Sequence, residues 1–356
     1  MAALCDENNV LCKECIMKSK ILVGLNVLMT AMVLGGVIHS CSRQVVTEED
    51  KQLLHEAQSY FEPLPQSIID EEAKADLIVL GRKLYFEKQL SKDGSMSCNT
   101  CHDLGNFGVD NLATSPSFDG SVSGDRNSPT VYNAALHFSQ FWDGRDETVE
   151  DQALGPILNP VEMAMASEEE VMERLQAMDE YRELFAKAFP DDENPFEYVN
   201  VGKAIGAFER TLLTTDRFDD YLKGDVFALS AKERAGLRAF IEVGCMTCHD
   251  GPLLGGNSFQ MIGAVNPYET EDKGRYLVTG DEWDKYFFKV PSLRNIEKTW
   301  PYFHDGRVET LEEAITLMGH HQLGIDLDEN QVKEIKAFLT SLTAKELPHF
   351  EELEKN

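Results

Sequence analysis

Two five-residue stretches set the chemistry open to this chain. Cys98-Asn99-Thr100-Cys101-His102 and Cys245-Met246-Thr247-Cys248-His249 both read Cys-x-x-Cys-His, the attachment pattern of c-type haem. In that chemistry two thiols add across the vinyl groups of the macrocycle, and the adjacent imidazole becomes an axial ligand of the iron. The short spacing lets one turn of backbone hold all three groups against one porphyrin face. Zinc would need two further ligands at finger-like spacing for each pair, and none is evident. Two disulfides are the other use of four cysteines in an exported protein, but they leave both histidines without a role. The repeated motif implies two covalent haems and a redox protein.

The other four of the eight cysteines lie in the first 41 residues. Lys18 and Lys20 precede an apolar run from Ile21 to Ile38, and small residues then lead into Cys41. That order describes a secretory signal, with an uncleaved anchor as the alternative. Ile38-His39-Ser40-Cys41 resembles a lipoprotein cleavage box with an atypical His39, so a lipid anchor at Cys41 is an open possibility. Residues 1–41 are read as a leader and the mature chain as working in the periplasm, where c-type haem is attached. Cys5, Cys12 and Cys15 precede the basic region, and Met17 is a candidate start.

The elements that must position the haem motifs read as helices. Thr47-Glu48-Glu49-Asp50 opens an amphipathic helix toward Tyr60, and a second pattern runs from Asp76 to Leu90. Ser167-x-x-Glu170 and Ser230-x-x-Glu233 are capping boxes; the first opens a helix to about Met178, the second a helix leading to the second motif. Tyr198 to Leu213 has helical spacing, and Thr310-x-x-Glu313 and Asp328-x-x-Gln331 open two more helices. Tyr286 to Val290 is the best strand candidate. The stretches 103–128 and 251–284 are too long to be mere connectors, and each follows a haem motif, so they are expected to wrap the haems. The fold class is all-α, mainly helical with long loops, in two haem domains over 47–214 and 225–345, with a tail over 346–356. The polar stretch Thr214–Asp225 is the expected boundary.

Lys and Arg number 33 against 62 Asp and Glu, a formal charge of −29 over 356 residues. That excess excludes nucleic acid as a partner, because such binders concentrate cations. It is either an ordinary solvated surface or one that favours basic protein donors.

Several blocks then occur in order: GRKLYFEKQLSKDGSMSCNTCH, NSPTVYNAALHFSQFWDGR, GPILNPVEM, FKVPSLRNI, TWPYFHDG and ITLMGHHQLG. Together they resemble the bacterial dihaem cytochrome c peroxidase family, over residues 47 to 345. The resemblance implies two cytochrome-c-like helical domains, usually in a homodimer. It implies reduction of hydrogen peroxide to water with electrons from a small cytochrome c or cupredoxin.

Such chemistry requires two unlike haems. An electron-transfer haem wants fixed ligands on both sides, whereas a peroxidatic haem needs an open position and a nearby acid–base group. By resemblance, Met318 is the distal ligand opposite His249, giving a His/Met haem of raised potential; packing alone would also account for a methionine there. His320 and His321 read as surface residues. Also by resemblance, Glu162 in NPVEM is the catalytic carboxylate, Gln152 hydrogen-bonds peroxide or water, and Trp142 relays electrons between the haems. In isolation Glu162 could be a surface carboxylate and Trp142 a buried aromatic. Asn127, Thr299 and Pro301 match the family's calcium site, where oxygen ligands suit a hard cation.

One departure stands out. Many members place a histidine in the loop after the first motif, which ligates the resting peroxidatic haem; here the corresponding residue is Phe118. No His, Met, Cys, Lys or Tyr lies between Asp103 and Arg126. This haem is therefore expected to be five-coordinate or water-bound at rest; His137 or Tyr132 could replace the ligand in principle, but both lie in a stretch that resembles packed family sequence. Two other functions compete: oxidation of a protein side chain by a related dihaem enzyme, and electron carriage without catalysis. The first uses tyrosine where Met318 stands; the second gains nothing from Glu162, Gln152 and an open site.

Overall fold

The computed structural model describes residues 45–72 and 74–348. The leader, Cys41 and the end of the tail beyond residue 348 lie outside them. The chain divides into Met1–Val45 and Val46–Asn356, and the second unit is described here. It is mostly helical, with a single two-stranded sheet among the described residues. No helix among the described residues is long and apolar enough to cross a membrane.

Side-chain caps start the helices where the sequence places them. Thr47 and Asp50 cap Glu48–Tyr60 reciprocally, as do Ser230 and Glu233 for Ala231–Val243 and Asp328 and Gln331 for Glu329–Thr340. Each satisfies backbone donors that a helix start leaves bare. Ser167 caps Glu168–Gln176, but that helix stops short of Met178, and a separate helix, Asp179–Ala188, follows it. Phe287–Lys289 is a strand, paired antiparallel with Phe259–Met261, which the sequence pattern did not suggest.

Two helix pairs carry the architecture, and both cross at a glycine. Ala75–Tyr85 packs on Tyr198–Glu209, and Ala231–Val243 packs on Glu329–Thr340. A Cβ on Gly81 would stand 1.7 Å from the Ala204 carbonyl oxygen, and one on Gly236 would stand 1.9 Å from that of Glu334. Only glycine lets the backbones approach this closely. In both pairs the first helix leads into a Cys-x-x-Cys-His segment, so the chain repeats one device twice although its sequence shows no other repeat.

Each pair sits in its own apolar cluster. One gathers residues from Leu80 to Leu212, including Tyr85, Tyr132, Ile157, Phe185 and Phe208. The other gathers residues from Phe218 to Leu342, and it also takes in Leu53, Ala57 and Phe61 of the first helix. Glu48–Tyr60 thus packs with the C-terminal cluster, whereas sequence order would assign it to the N-terminal one. The stretch 214–225 is not a polar linker. It contains the helix Arg217–Leu222, whose Phe218 and Tyr221 are buried in the second cluster.

Candidate functional site

The first motif folds as a single turn, Cys98–Cys101, started by a Ser97–Thr100 capping box. The His102 amide closes it onto the Cys98 carbonyl at 3.0 Å, and the Tyr85 hydroxyl donates to the His102 carbonyl at 2.6 Å. Both cysteines are free and half-buried. Burial pushes Cys98 up to about 12 and Cys101 up to about 11. The two free thiols are therefore neutral. Burial also lowers the pKa of His102, so its imidazole is neutral and keeps a lone pair for a metal. Its Nδ1 is buried without a partner at hydrogen-bond geometry.

Glu162 lies in the turn that follows the helix Gly155–Leu158, its amide bonded to the Asn159 carbonyl at 3.0 Å. Its Oε2 is buried with no partner. Burial raises its pKa above the ordinary carboxylate value, while Arg145 and the Asn159 side chain pull the other way. The Glu162 carboxylate is close enough to both Cys98 and Cys101 to add to the burial that raises their thiols. The loop carrying Phe118 is tied to it directly: the Phe118 amide donates to the Glu162 carbonyl at 2.9 Å. A bridge between Pro116 and Ser123 closes that loop, and the Phe118 ring packs half-buried on the N-terminal cluster. Tyr132 and His137, the two substitute ligands, are both committed. Tyr132 donates to the Leu104 carbonyl at 2.9 Å, and His137 Nδ1 lies 2.7 Å from Lys289 Nζ. Gln152 ends the short helix Val149–Gln152 and is half-buried, but no hydrogen bond among the described residues joins it to Glu162.

The second motif follows a left-handed Gly244 (φ 98°) that ends the helix Ala231–Val243. His249 Nδ1 lies 3.0 Å from the Leu254 carbonyl. That carbonyl can only accept, so Nδ1 carries the proton and Nε2 is left with a lone pair. Cys245, Cys248, His249 and Met318 line one cavity, the last at the end of the helix Leu311–Met318. A π-turn over Gly319–Leu323 follows and carries the neighbouring histidines elsewhere. His320 Nδ1 faces Asp326 at 3.1 Å, and His321 Nδ1 lies 2.9 Å from the Asn266 carbonyl.

Trp142 belongs to this cavity wall. Its Nε1 donates to the Asn127 carbonyl at 2.9 Å, and its ring meets His304 edge-on with centroids 6.5 Å apart. Asn127, Thr299 and Pro301 line the same cavity. Asn127 Nδ2 donates to the Leu112 carbonyl at 2.9 Å, which turns Oδ1 into the available acceptor. Among the described residues no group of three or more His, Cys, Asp and Glu could hold a metal.

Two features escaped sequence reasoning. The buried His304 stacks on Phe288 at 4.1 Å, and the buried Lys289 meets His137 across 152 residues of chain. Lys289 stands in FKVPSLRNI, but nothing in that block says that its ammonium points inward.

The residues fit two c-type haems: each motif presents two free thiols and a neutral imidazole, and the second shares a cavity with Met318. Comparison with known proteins agrees. The model of the family described as di-haem cytochrome c peroxidase matches residues 75–226. A cytochrome c551 peroxidase of Nitrosomonas europaea is 46% identical over 273 residues, covering 76% of this chain and 80% of the relative. One of Pseudomonas aeruginosa is 42% identical over 303 residues, covering 82% and 87%. Among solved structures, a MauG-like protein associated with microbial copper homeostasis superposes with a TM-score of 0.70 at 28% identity, covering 80% of this chain and 93% of that one.

Proposed function

Because this chain belongs to the di-haem cytochrome c peroxidase family, we propose that it reduces hydrogen peroxide to water in the periplasm, with electrons from a small cytochrome c or cupredoxin. Cys98, Cys101 and His102 would hold the peroxidatic haem of an N-terminal domain. Cys245, Cys248, His249 and Met318 would hold the electron-transfer haem of a C-terminal one. When bound, the haems supply one-electron redox steps and, at the first, an open position for peroxide. The net reaction consumes two electrons and two protons for each peroxide and yields two waters.

The observation that carries this reading is Glu162, whose carboxylate has one oxygen buried without a partner and whose charge acts on both Cys98 and Cys101. A side chain so placed accepts a proton from one peroxide oxygen and returns it to the other as the O–O bond breaks. Gln152 orients peroxide or water beside it. Trp142 stands in the wall of the second cavity and is the relay between the two sites. Asn127, Thr299 and Pro301 offer a calcium ion side-chain and carbonyl oxygens. An electron carrier has no use for Glu162. Oxidation of a protein side chain has in its favour the MauG-like structural relative, but Met318 stands where that branch uses tyrosine. Steady-state peroxide consumption with a reduced cytochrome c tests the proposal. Holoprotein that carries two haems and consumes no peroxide above background would refute it.

Phe118 supports a second expectation. The loop that would deliver a resting ligand carries a phenyl ring, and Tyr132 and His137 are engaged elsewhere. The fully oxidised protein should give one high-spin and one low-spin haem signal in electron paramagnetic resonance, and it should react with peroxide without prior reduction. Phe118→His should convert the high-spin signal to low-spin and make turnover depend on reduction of the other haem. Two low-spin haems in the unaltered protein would overturn the idea.

A further inference from the structure

The C-terminal cavity carries a buried Lys289–His137 pair that no carboxylate of the described residues joins. Lys289 is 5% exposed, and its Nζ lies 2.7 Å from His137 Nδ1. As an ammonium Lys289 only donates, so in that state Nδ1 accepts and the imidazole proton sits on Nε2. That Nε2 is buried and has no partner. The remaining ammonium hydrogens and the imidazole N–H make a donor-only cluster, and both residues line the cavity that also presents Cys245, Cys248 and His249.

No carboxylate of the described chain neutralises Lys289. The one whose charge acts on it, Asp143, is held by Arg126 at 2.6 Å and by Arg145 at 3.2 Å. Burial pushes Lys289 down to about 7 and His137 well below its ordinary value, as expected for cationic groups without a counter-ion. The backbone fixes the site from three sides. The Lys289 amide donates to the Trp142 carbonyl at 2.7 Å, the strand Phe287–Lys289 pairs with Phe259–Met261, and the His137 ring rests against Gly256, where a Cβ would meet its Cδ2 at 2.8 Å.

We propose that Lys289 and His137 form a carboxylate-binding subsite that receives a propionate of the haem held by Cys245, Cys248 and His249. This rests on the proposed haem reading of that motif. A c-type haem brings two carboxylates into a cavity whose wall is otherwise largely apolar. An ammonium with an imidazole N–H beside it offers charge-assisted bonds to one of them. A buried charge left without a partner is costly, and that is the situation of Lys289 until a carboxylate reaches it. The fixed cation disfavours the oxidised iron nearby and so raises the potential of the electron-accepting haem.

The test is a spectroelectrochemical titration of the holoprotein above the ordinary carboxylate range, combined with resonance Raman detection of the propionate bending mode. Lys289→Met should shift the one-electron equilibrium of the C-terminal haem at least tenfold toward the oxidised form, about 59 mV downward, and move the propionate band. Lys289→Arg should keep most of both. His137→Phe, which removes one donor and adds no charge, should move the same band if Lys289→Met does not fold. Intact mass is read first. A chain without a haem on Cys245 and Cys248 overturns the haem reading and this inference with it. A two-haem mass with an unchanged midpoint and an unmoved band overturns this inference alone.

Discussion

Glu162→Gln should lower kcat for peroxide by about 10²–10⁴-fold, the range that a positioned acid–base group supplies. The amide keeps the volume and one acceptor but can neither take nor return a proton. Haem content and both haem spectra should stay unchanged, because Oε2 makes no hydrogen bond for the fold to lose, and the unfolding midpoint should not fall, because the amide removes a buried charge. The pH profile gives an independent check. Burial raises the Glu162 pKa, and Arg145 lowers it in part. The base form is ionised, so activity is present above the raised pKa and is lost as pH falls through it. Arg145→Gln removes the opposing charge, and the acid limb should then move to higher pH. Unchanged turnover in Glu162→Gln, or an acid limb that ignores Arg145, would falsify the acid–base assignment.

The parts legible in the sequence are those encoded over short spans. A Cys-x-x-Cys-His motif occupies five residues, and a cap spans four. Thr47, Ser167, Ser230, Thr310 and Asp328 accordingly start helices where the pattern places them. What stayed hidden depends on contacts distant in the chain. The stretch around Phe218 reads as polar because Asp216, Asp219 and Asp220 dominate it, yet two of those aspartates are buried against a guanidinium supplied by residue 294. The first helix has one apolar face, and sequence cannot say which of two similar clusters receives it. Gly81 and Gly236 look like ordinary helix-weakening residues until a second backbone is found crossing each. Lys289 sits in a strand where alternation alone assigns no partner. In each case tertiary contact, not local propensity, decided the outcome.

Arg294→Met should destabilise the holoprotein by about 3–5 kcal/mol, the cost of removing one partner from a buried ion pair. Arg294 is 1% exposed and is the largest side chain among the most fully buried. Its Nη1 donates to Asp216 at 2.6 Å and its Nη2 faces Asp219 at 3.1 Å. Met fills similar space but leaves both carboxylates buried without the cation. Burial already holds the Asp216 pKa above its ordinary value despite Arg294, and loss of the guanidinium raises it further. A carboxylate with a raised folded-state pKa favours folding below its unfolded pKa and loses that contribution as pH rises through the folded one. The deficit of Arg294→Met should therefore shrink on acidification. Asp216→Asn added to Arg294→Met should recover part of it at neutral pH, because asparagine still caps the helix Arg217–Leu222 that Asp216 caps. The same guanidinium donates from Nε and Nη2 to the Pro252 carbonyl at 2.9 and 2.7 Å, and Ser292 Oγ donates to the Leu253 carbonyl at 2.8 Å. These bonds hold the segment whose Leu254 carbonyl fixes the His249 tautomer. Loss of stability should thus be accompanied by a disturbed axial spectrum at the C-terminal haem, read before global unfolding in a denaturant titration. An unfolding midpoint equal to that of the unaltered protein would show that the ion pair is dispensable, and an unchanged haem spectrum in a destabilised variant would separate the pair from the Pro252–Leu254 segment it holds.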